Sequence, residues 1–382
     1  MRELTSTAAA GTSTDVPECW TAKEIAQQPA VLRATQALLD SRSAEIDAFL
    51  APLLADKDLR IVLTGAGSSD FIGQCLAPVL RRALGRRVEA IATTDIVGTP
   101  DLALAEDVPT LLVSFGRSGN SPESIAAIAV AGRKLSRLHH LIVTCNASGA
   151  LAQNDIANSL VISLPEESHD RGFAMTSSFS AMMYCALSTL TGTAAMQDRI
   201  GAIADATQGA LAAAGPLAAE LAQHGFARTI YLGSGPLFGL AREAALKLLE
   251  LTDGQIATMA ETPLGFRHGP KTFVDDSTLV VFFLSNDPLT RRYDLDMLHE
   301  MQRDDCAGRI LVCDAQGADG ADIAPTALQS AGDSDLLFPY VVLPQMFALA
   351  ASFAHGITPD TPSRSGTVNR VVQGVIIHEG AQ

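Results

Sequence analysis

The sequence predicts an α/β protein made of two similar halves, each a parallel sheet covered by helices on both faces. Two observations predict it. Short β-branched runs alternate with longer stretches of helical period, the signature of parallel βαβ units. The chain also repeats itself. LRIVLTGAGSSDFIG (59–73) resembles RTIYLGSGPLFGLA (228–241), TLLVSFG (110–116) resembles LVVFFLS (279–285), and HHLIVTCNASG (139–149) resembles GRILVCDAQG (308–317). Gly65 pairs with Gly233 and Cys145 with Cys313, each at an offset of about 168 residues. A fixed offset across three strand–turn units argues for duplication.

Taken in order, residues 1–44 read as a helical lead-in, 45–212 as the first half, 213–355 as the second, and 356–382 as a carboxyl-terminal tail. In the first half, strands are expected at 61–63, 110–115, 141–145 and 161–164. The helix after the second of these (121–135) opens with Pro122 and Glu123, both suited to a helix N-terminus. The join near Ala213–Gly225 is Ala-rich and helical, so the halves should pack tightly. Leu336–Ala354 (LLFPYVVLPQMFALAASFA) approaches the length of a membrane span. Its two prolines and Gln345 argue instead for a strand at Leu337–Leu343, broken by Pro344, then a buried helix from Gln345.

Composition narrows the function. The 382 residues are 47% hydrophobic, too apolar for a disordered chain, and carry a net charge of −15. No basic stripe exists to neutralise a nucleic-acid backbone, so a nucleic-acid partner is not expected. An anionic ligand must find its positive partners locally. The six cysteines (19, 75, 145, 185, 306, 313) show no metal-ligand spacing and read as reduced thiols of a cytoplasmic protein. The N-terminal segment lacks the apolar core of a secretory signal. No metal, cofactor or membrane partner is called for.

Ligands of open parallel sheets bind beyond the carboxyl ends of the strands. Two loops there carry the chemistry of anion binding: T-G-A-G-S-S (64–69) and S-F-G-R-S-G-N-S-P-E-S (114–124). Glycines let the backbone approach an anion, and the hydroxyls of Ser68, Ser69, Ser118 and Ser121 can donate to it. The helix N-terminus after Ser121 adds free N–H groups, and Arg117 adds a cation. Caps and turns alone would also use Ser and Gly. Three serines and an arginine so close to a strand end favour a phosphate. A dinucleotide fingerprint fits poorly, since its third glycine is Asp70 in one half and Phe238 in the other.

The second half lacks the serine loop; its counterpart, L-S-N-D-P (284–288), is acidic. It offers instead AREAALKLLEL (241–251), where Glu243, Lys247 and Glu250 share one helix face. A solvated stripe of ion pairs is the bland alternative. Its position after a Gly-x-Gly turn, and the following loop T-P-L-G-F-R-H-G-P-K (262–271) with Arg267, His268 and Lys271, point to acid–base work in a cleft.

With these residues in view, the chain resembles the SIS (sugar isomerase) family, and within it the galactosamine-6-phosphate deaminase/isomerase group. RIVLTGAGSSDFIG, SFGRSGNSPES, SHDRGFAMTSS, GFRHGPK and SGTVNRVVQGVIIH carry the resemblance across nearly the whole chain. It implies two tandem SIS domains, each a flavodoxin-like three-layer sandwich, and a sugar-phosphate substrate. It places Ser68, Ser69, Arg117, Ser118 and Ser121 on the phosphate, with Arg117 where the related synthase has Gln. It makes Glu250 the group that moves a proton between C1 and C2, with Glu243 and Lys247 as its helix neighbours. His268 would open the sugar ring and be supplied across the interface of a homodimer. The tail would close over the site, with Arg370 at the position of a ring-opening lysine; an arginine stays protonated, so it would hold the substrate instead. No glutaminase domain precedes the first strand, so a catabolic deamination is expected, giving tagatose 6-phosphate and ammonia. The competing expectations are isomerisation without deamination, deamination of glucosamine 6-phosphate, and a non-catalytic sugar-phosphate sensor.

Overall fold

Nine strands form two separate parallel sheets in the computed structural model, which describes residues 18–317, 320–372 and 374–378. The expected absence of a secretory signal concerns residues 1–17, which lie outside the described residues, as do 318, 319, 373 and 379–382 within the expected second half and tail.

The first sheet has the order β2-β1-β3-β4-β5: β1 Arg60–Thr64, β2 Arg87–Ala90, β3 Thr110–Gly116, β4 Leu138–Thr144 and β5 Ser159–Ser163. The second has β7-β6-β8-β9: β6 Arg228–Gly233, β7 Ala257–Glu261, β8 Thr278–Phe283 and β9 Arg309–Cys313. The four strands of the second sheet repeat the order of the first four of the other. All pairings are parallel, with Thr64 beside Ser114 and Gly233 beside Phe283. Strands β1, β3 and β8 are buried along their whole length, as helices on both faces require.

Helices of seven residues or more are α1 Trp20–Ala26, α2 Gln28–Ser41, α3 Ser43–Ala55, α4 Ser68–Leu84, α5 Pro122–Lys134, α6 Ser177–Thr191, α7 Thr193–His224, α8 Pro236–Leu251, α9 Pro288–Asp304, α10 Asp333–Tyr340 and α11 Val342–Ala354. The expected join at Ala213–Gly225 is the end of α7, a 32-residue helix that packs on α2 and α11. One continuous apolar core holds both halves: Leu63 and Ile72 of the first belong to the same cluster as Leu240, Ala244 and Phe338 of the second.

The strand expected at Leu337–Leu343 is not formed. Residues 333–354 are two helices in succession, α10 and α11, with Val341 still helical at the joint. Period decides between strand and helix only where one face meets water. Here 83% of the most apolar window is buried, against α7 and α8 among others, so no polar face marks the helix in the sequence. Among the described residues this is the one helical stretch long and apolar enough to cross a membrane, and its burial is that of a core helix. Pro344 is tolerated in the first turn of α11, and Pro339 sits just before the joint. All six cysteines are free thiols.

The duplication extends to backbone dihedrals. Gly67 and Gly235 stand at the same place in the two Gly-x-Gly turns, with φ/ψ of 57/−127° and 56/−124°. Only glycine adopts this conformation readily. Each turn swings the chain from a strand end into the helix, α4 or α8, that crosses the centre of the molecule. There α4 and α8 pack on each other at Gly239, where a Cβ would stand 2.6 Å from the amide nitrogen of Cys75.

Candidate active site

The turn after β1 delivers Ser68 and Ser69 as the first residues of α4. Both are buried, and Ser68 faces the Glu243 carboxyl of α8, while the Ser69 hydroxyl lies 3.8 Å from the Met175 sulfur. Ser121 precedes α5, whose first turn is Pro122 and Glu123. Its hydroxyl donates to Glu123 Oε2 at 2.7 Å, and the Ser118 Oγ accepts from the Asn120 N–H at 3.3 Å. The loop is braced from the next strand turn: Asn146 Nδ2 donates to the Ser118 carbonyl at 2.8 Å, and the Ala150 N–H donates to Asn120 Oδ1 at 2.9 Å.

Arg117 is 7% exposed, and its guanidinium faces backbone carbonyls: Nη1 donates to Phe173 O at 2.8 Å and Nη2 to Arg370 O at 2.7 Å. Arg370 in turn donates through Nε to Gly172 O at 3.1 Å and through Nη2 to Asp170 O. Burial, then the neighbouring Arg370, holds the Arg117 pKa below its ordinary value. The tail is thereby fastened onto the cradle loop. Neither arginine was expected from the sequence to spend its donors this way.

On α8, Glu243, Lys247 and Glu250 meet on one face. Lys247 is 1% exposed; its ammonium hydrogen-bonds Glu250 Oε2 and lies 3.6 Å from Glu243 Oε1. Glu243 is fully buried, and neither carboxyl oxygen has a hydrogen-bond partner among the described residues. Burial pushes its pKa up to about 7, although Lys247 opposes the shift. Burial would lower Lys247, but the Glu243 and Glu250 carboxylates outweigh it and hold the ammonium above its ordinary value. The Glu250 side chain keeps 24% of its surface open. Arg117 lies within electrostatic reach of both Lys247 and Glu250, so the serine loop of one half faces the acidic helix of the other.

His268 is not part of that cluster. It is exposed on a turn after β7, with no hydrogen bond or ion pair from its imidazole to Glu250 or Lys247. Its cationic neighbours are spoken for: Arg267 binds Glu300 at 2.8 Å, and Lys271 binds Glu300 at 2.6 Å and also Asp304.

The second-half counterpart of the cradle is filled from within. Asp294 accepts from the Ser234 hydroxyl at 2.6 Å and the Ser285 N–H at 3.1 Å. Asp333 accepts from the Ser285 hydroxyl at 2.6 Å and the Asn286 N–H at 2.7 Å. Asp287 caps α9 through the Leu289 and Thr290 amides. Carboxylates of the chain itself therefore occupy the donors that a bound anion would need.

Two acidic residues carry the site's frame without having been read from the sequence. Asp170, fully buried, accepts from the Thr176 and Ser178 amides at 2.7 and 2.9 Å and from both serine hydroxyls that follow. Its place in S-H-D-R-G, six residues before T-S-S, is a turn-forming signal of moderate strength. Glu24, 3% exposed, accepts from the Arg171 and Gly172 amides, and burial together with Asp170 pushes its pKa up to about 7. Nothing near Glu24 in sequence marks it.

The chain thus has two parallel α/β halves, a serine-rich loop on one and a buried Glu-Lys-Glu helix on the other, and comparison with known proteins gives the family. The SIS domain family matches residues 53–191. A Streptomyces coelicolor protein carrying the AgaS name is 49% identical over 366 residues, 94% of this chain and 95% of the relative. The D-galactosamine-6-phosphate deaminase AgaS of Escherichia coli is 45% identical over 387 residues, 99% of both chains. The crystal structure of tagatose-6-phosphate ketose/aldose isomerase from Escherichia coli superposes with a TM-score of 0.84 at 41% identity, covering 94% of this chain and 96% of that one. The chain belongs to the SIS family, in its AgaS group.

Proposed function

We propose that this enzyme converts galactosamine 6-phosphate to tagatose 6-phosphate and ammonia. The observation that carries the chemistry is Glu250: a partly open carboxylate hydrogen-bonded to a buried lysine, beside the serine cradle. The full-length likeness to proteins named galactosamine-6-phosphate deaminase supports the substrate.

In this reading, Ser68, Ser69, Ser118 and Ser121 and the first turns of α4 and α5 hold the phosphate, with Ser121 turning from Glu123 to the anion. Arg117 adds positive potential at its back. Once the ring is open, the Glu250 carboxylate takes the proton from C2 and returns it at C1. One base serves the two adjacent carbons, while O1 gains a proton and the amine nitrogen gives one up as the ketimine forms. The intermediate enolamine carries negative charge that the Lys247 ammonium stabilises. Glu243, neutral on one side of pH 7 and ionised on the other, sets how much of that ammonium's field is left for the substrate. The resulting ketimine takes up water at C2 and releases ammonia. No step calls for a cofactor. His268, exposed and away from its own Glu250, opens the ring in the site of a second copy, making the working unit a homodimer.

The discriminating experiment runs turnover in D2O. One deuterium at C1 of the ketose product supports a single base working through solvent exchange. Deuterium delivered to C1 at an undiminished rate by Glu250→Gln would remove Glu250 from this role.

A further inference from the structure

We propose that Glu24, on the helix that precedes both halves, is a positioning residue for the anion cradle. It acts through the loop 170–173. The inference rests on reading the serine loop as that cradle.

Four groups of contacts make the chain of action. The Glu24 carboxylate accepts from the Arg171 N–H, and its Oε2 accepts from the Gly172 N–H at 3.1 Å. Those two amides fix the backbone whose carbonyls point the other way. Gly172 O and Phe173 O receive Arg117, while Gly172 O and Asp170 O receive Arg370. Arg117 then donates to the carbonyl of Arg370, closing the tail against the loop. Asp360 returns the tail to α1, accepting from the Trp20 and Thr21 amides at 2.9 Å each and from the Thr21 hydroxyl at 2.7 Å. The circuit runs from α1 to the loop, to the two arginines, along the tail and back to α1.

The approach of loop to helix is close. A Cβ at Gly172 would lie 2.7 Å from Thr21 Oγ1 and 2.9 Å from Glu24 Oε2, so this position has no room for a side chain. Gln27 adds a second tie, donating to Glu167 O at 2.7 Å and Ser177 Oγ at 2.9 Å. A structural filler would not need its carboxylate aimed at two consecutive amides. A group that sets the aim of two guanidinium groups does, because a shift of about 1 Å in the loop moves both arginines relative to the anion.

The test reads the tail directly, without substrate. Trypsin needs the Arg370 side chain, which the loop carbonyls hold. In Glu24→Gln, cleavage after Arg370, followed by mass spectrometry, should accelerate about tenfold, the equivalent of one charge-assisted hydrogen bond. KM for galactosamine 6-phosphate should rise by a similar factor, about tenfold, with a far smaller change in kcat. Combining Glu24→Gln with Arg117→Ala should give less than the product of the two separate effects, since both act on Arg370 through the same loop. Gly172→Ala, which pushes the loop off α1 without changing charge, should reproduce the faster cleavage and serves where Glu24→Gln lowers the Tm. Unchanged cleavage at Arg370 in both variants, or fully additive effects with Arg117→Ala, would overturn the proposal. Absence of galactosamine 6-phosphate turnover in the unmodified enzyme would count against the functional reading alone, because the cleavage result stands without it.

Discussion

Glu243 gives the sharpest prediction about the energetics of the site. It is a fully buried carboxyl whose oxygens have no hydrogen-bond partner among the described residues, and its pKa is pushed from 4.5 up to about 7. Because the folded-state value is the higher one, ionising Glu243 favours the unfolded chain. The cost is absent below about pH 4.5, grows through the interval, and is complete above about pH 7. Between pH 5 and pH 8 the shift amounts to about 2–3 kcal/mol of lost stability. Glu243→Gln keeps the volume and removes the titration. The variant should therefore gain about 2–3 kcal/mol on the unmodified protein in going from pH 5 to pH 8, read from urea unfolding at both values. Catalysis should suffer meanwhile, since the field at Lys247 changes. Parallel pH dependence in the two proteins would refute the claim that this carboxyl is held against its solvation preference.

Three further outcomes follow. Glu250→Gln should lower kcat by about a thousandfold, the scale of a lost acid–base group, while calorimetry still detects substrate binding. The double variant Ser118→Ala, Ser121→Ala should raise KM by about 10- to 100-fold with a smaller effect on kcat, because phosphate contacts are made equally before and during the reaction. Gly239→Ala should cost about 1–3 kcal/mol in chemical denaturation, since its Cβ would meet the backbone of Cys75 and force α8 away from α4.

Much of this architecture was legible in the sequence, for identifiable reasons. The parallel sheets announced themselves as short apolar runs between Gly-rich turns, and the duplication of Gly65 in Gly233 carried over to the dihedrals of the neighbouring Gly67 and Gly235. The convergence of Glu243, Lys247 and Glu250 followed from helical spacing alone. Local pattern failed where packing is symmetric. Leu337–Leu343 is apolar all round because helices surround it, so its sequence carries no period. Pattern also failed where partners are far apart in sequence. Glu24 meets the Arg171 amide across 147 residues, and Asp333 meets Ser285 across 48. Arg117 looked like a phosphate clamp from its neighbours. The donors it spends on Phe173 and Arg370 depend on where the tail returns, which no window of sequence contains.

The loss of the second cradle has the same origin. Its serine and asparagine donors remain in the sequence at Ser234, Ser285 and Asn286, and a reading by composition would keep them available. Asp294 and Asp333 take them, and burial pushes Asp294 up to about 6. The two halves thus differ in that carboxylates of the chain itself take up the serine and asparagine donors of the second.

The central claim is that the site beside Lys247 and Glu250 removes the amine from an aldosamine phosphate. Quantifying ammonia and ketose together during turnover of galactosamine 6-phosphate tests it most directly. The account predicts equimolar ammonia and tagatose 6-phosphate, both formed about a thousandfold more slowly by Glu250→Gln. Interconversion of aldose and ketose phosphates with no ammonia from the amino sugar would contradict it.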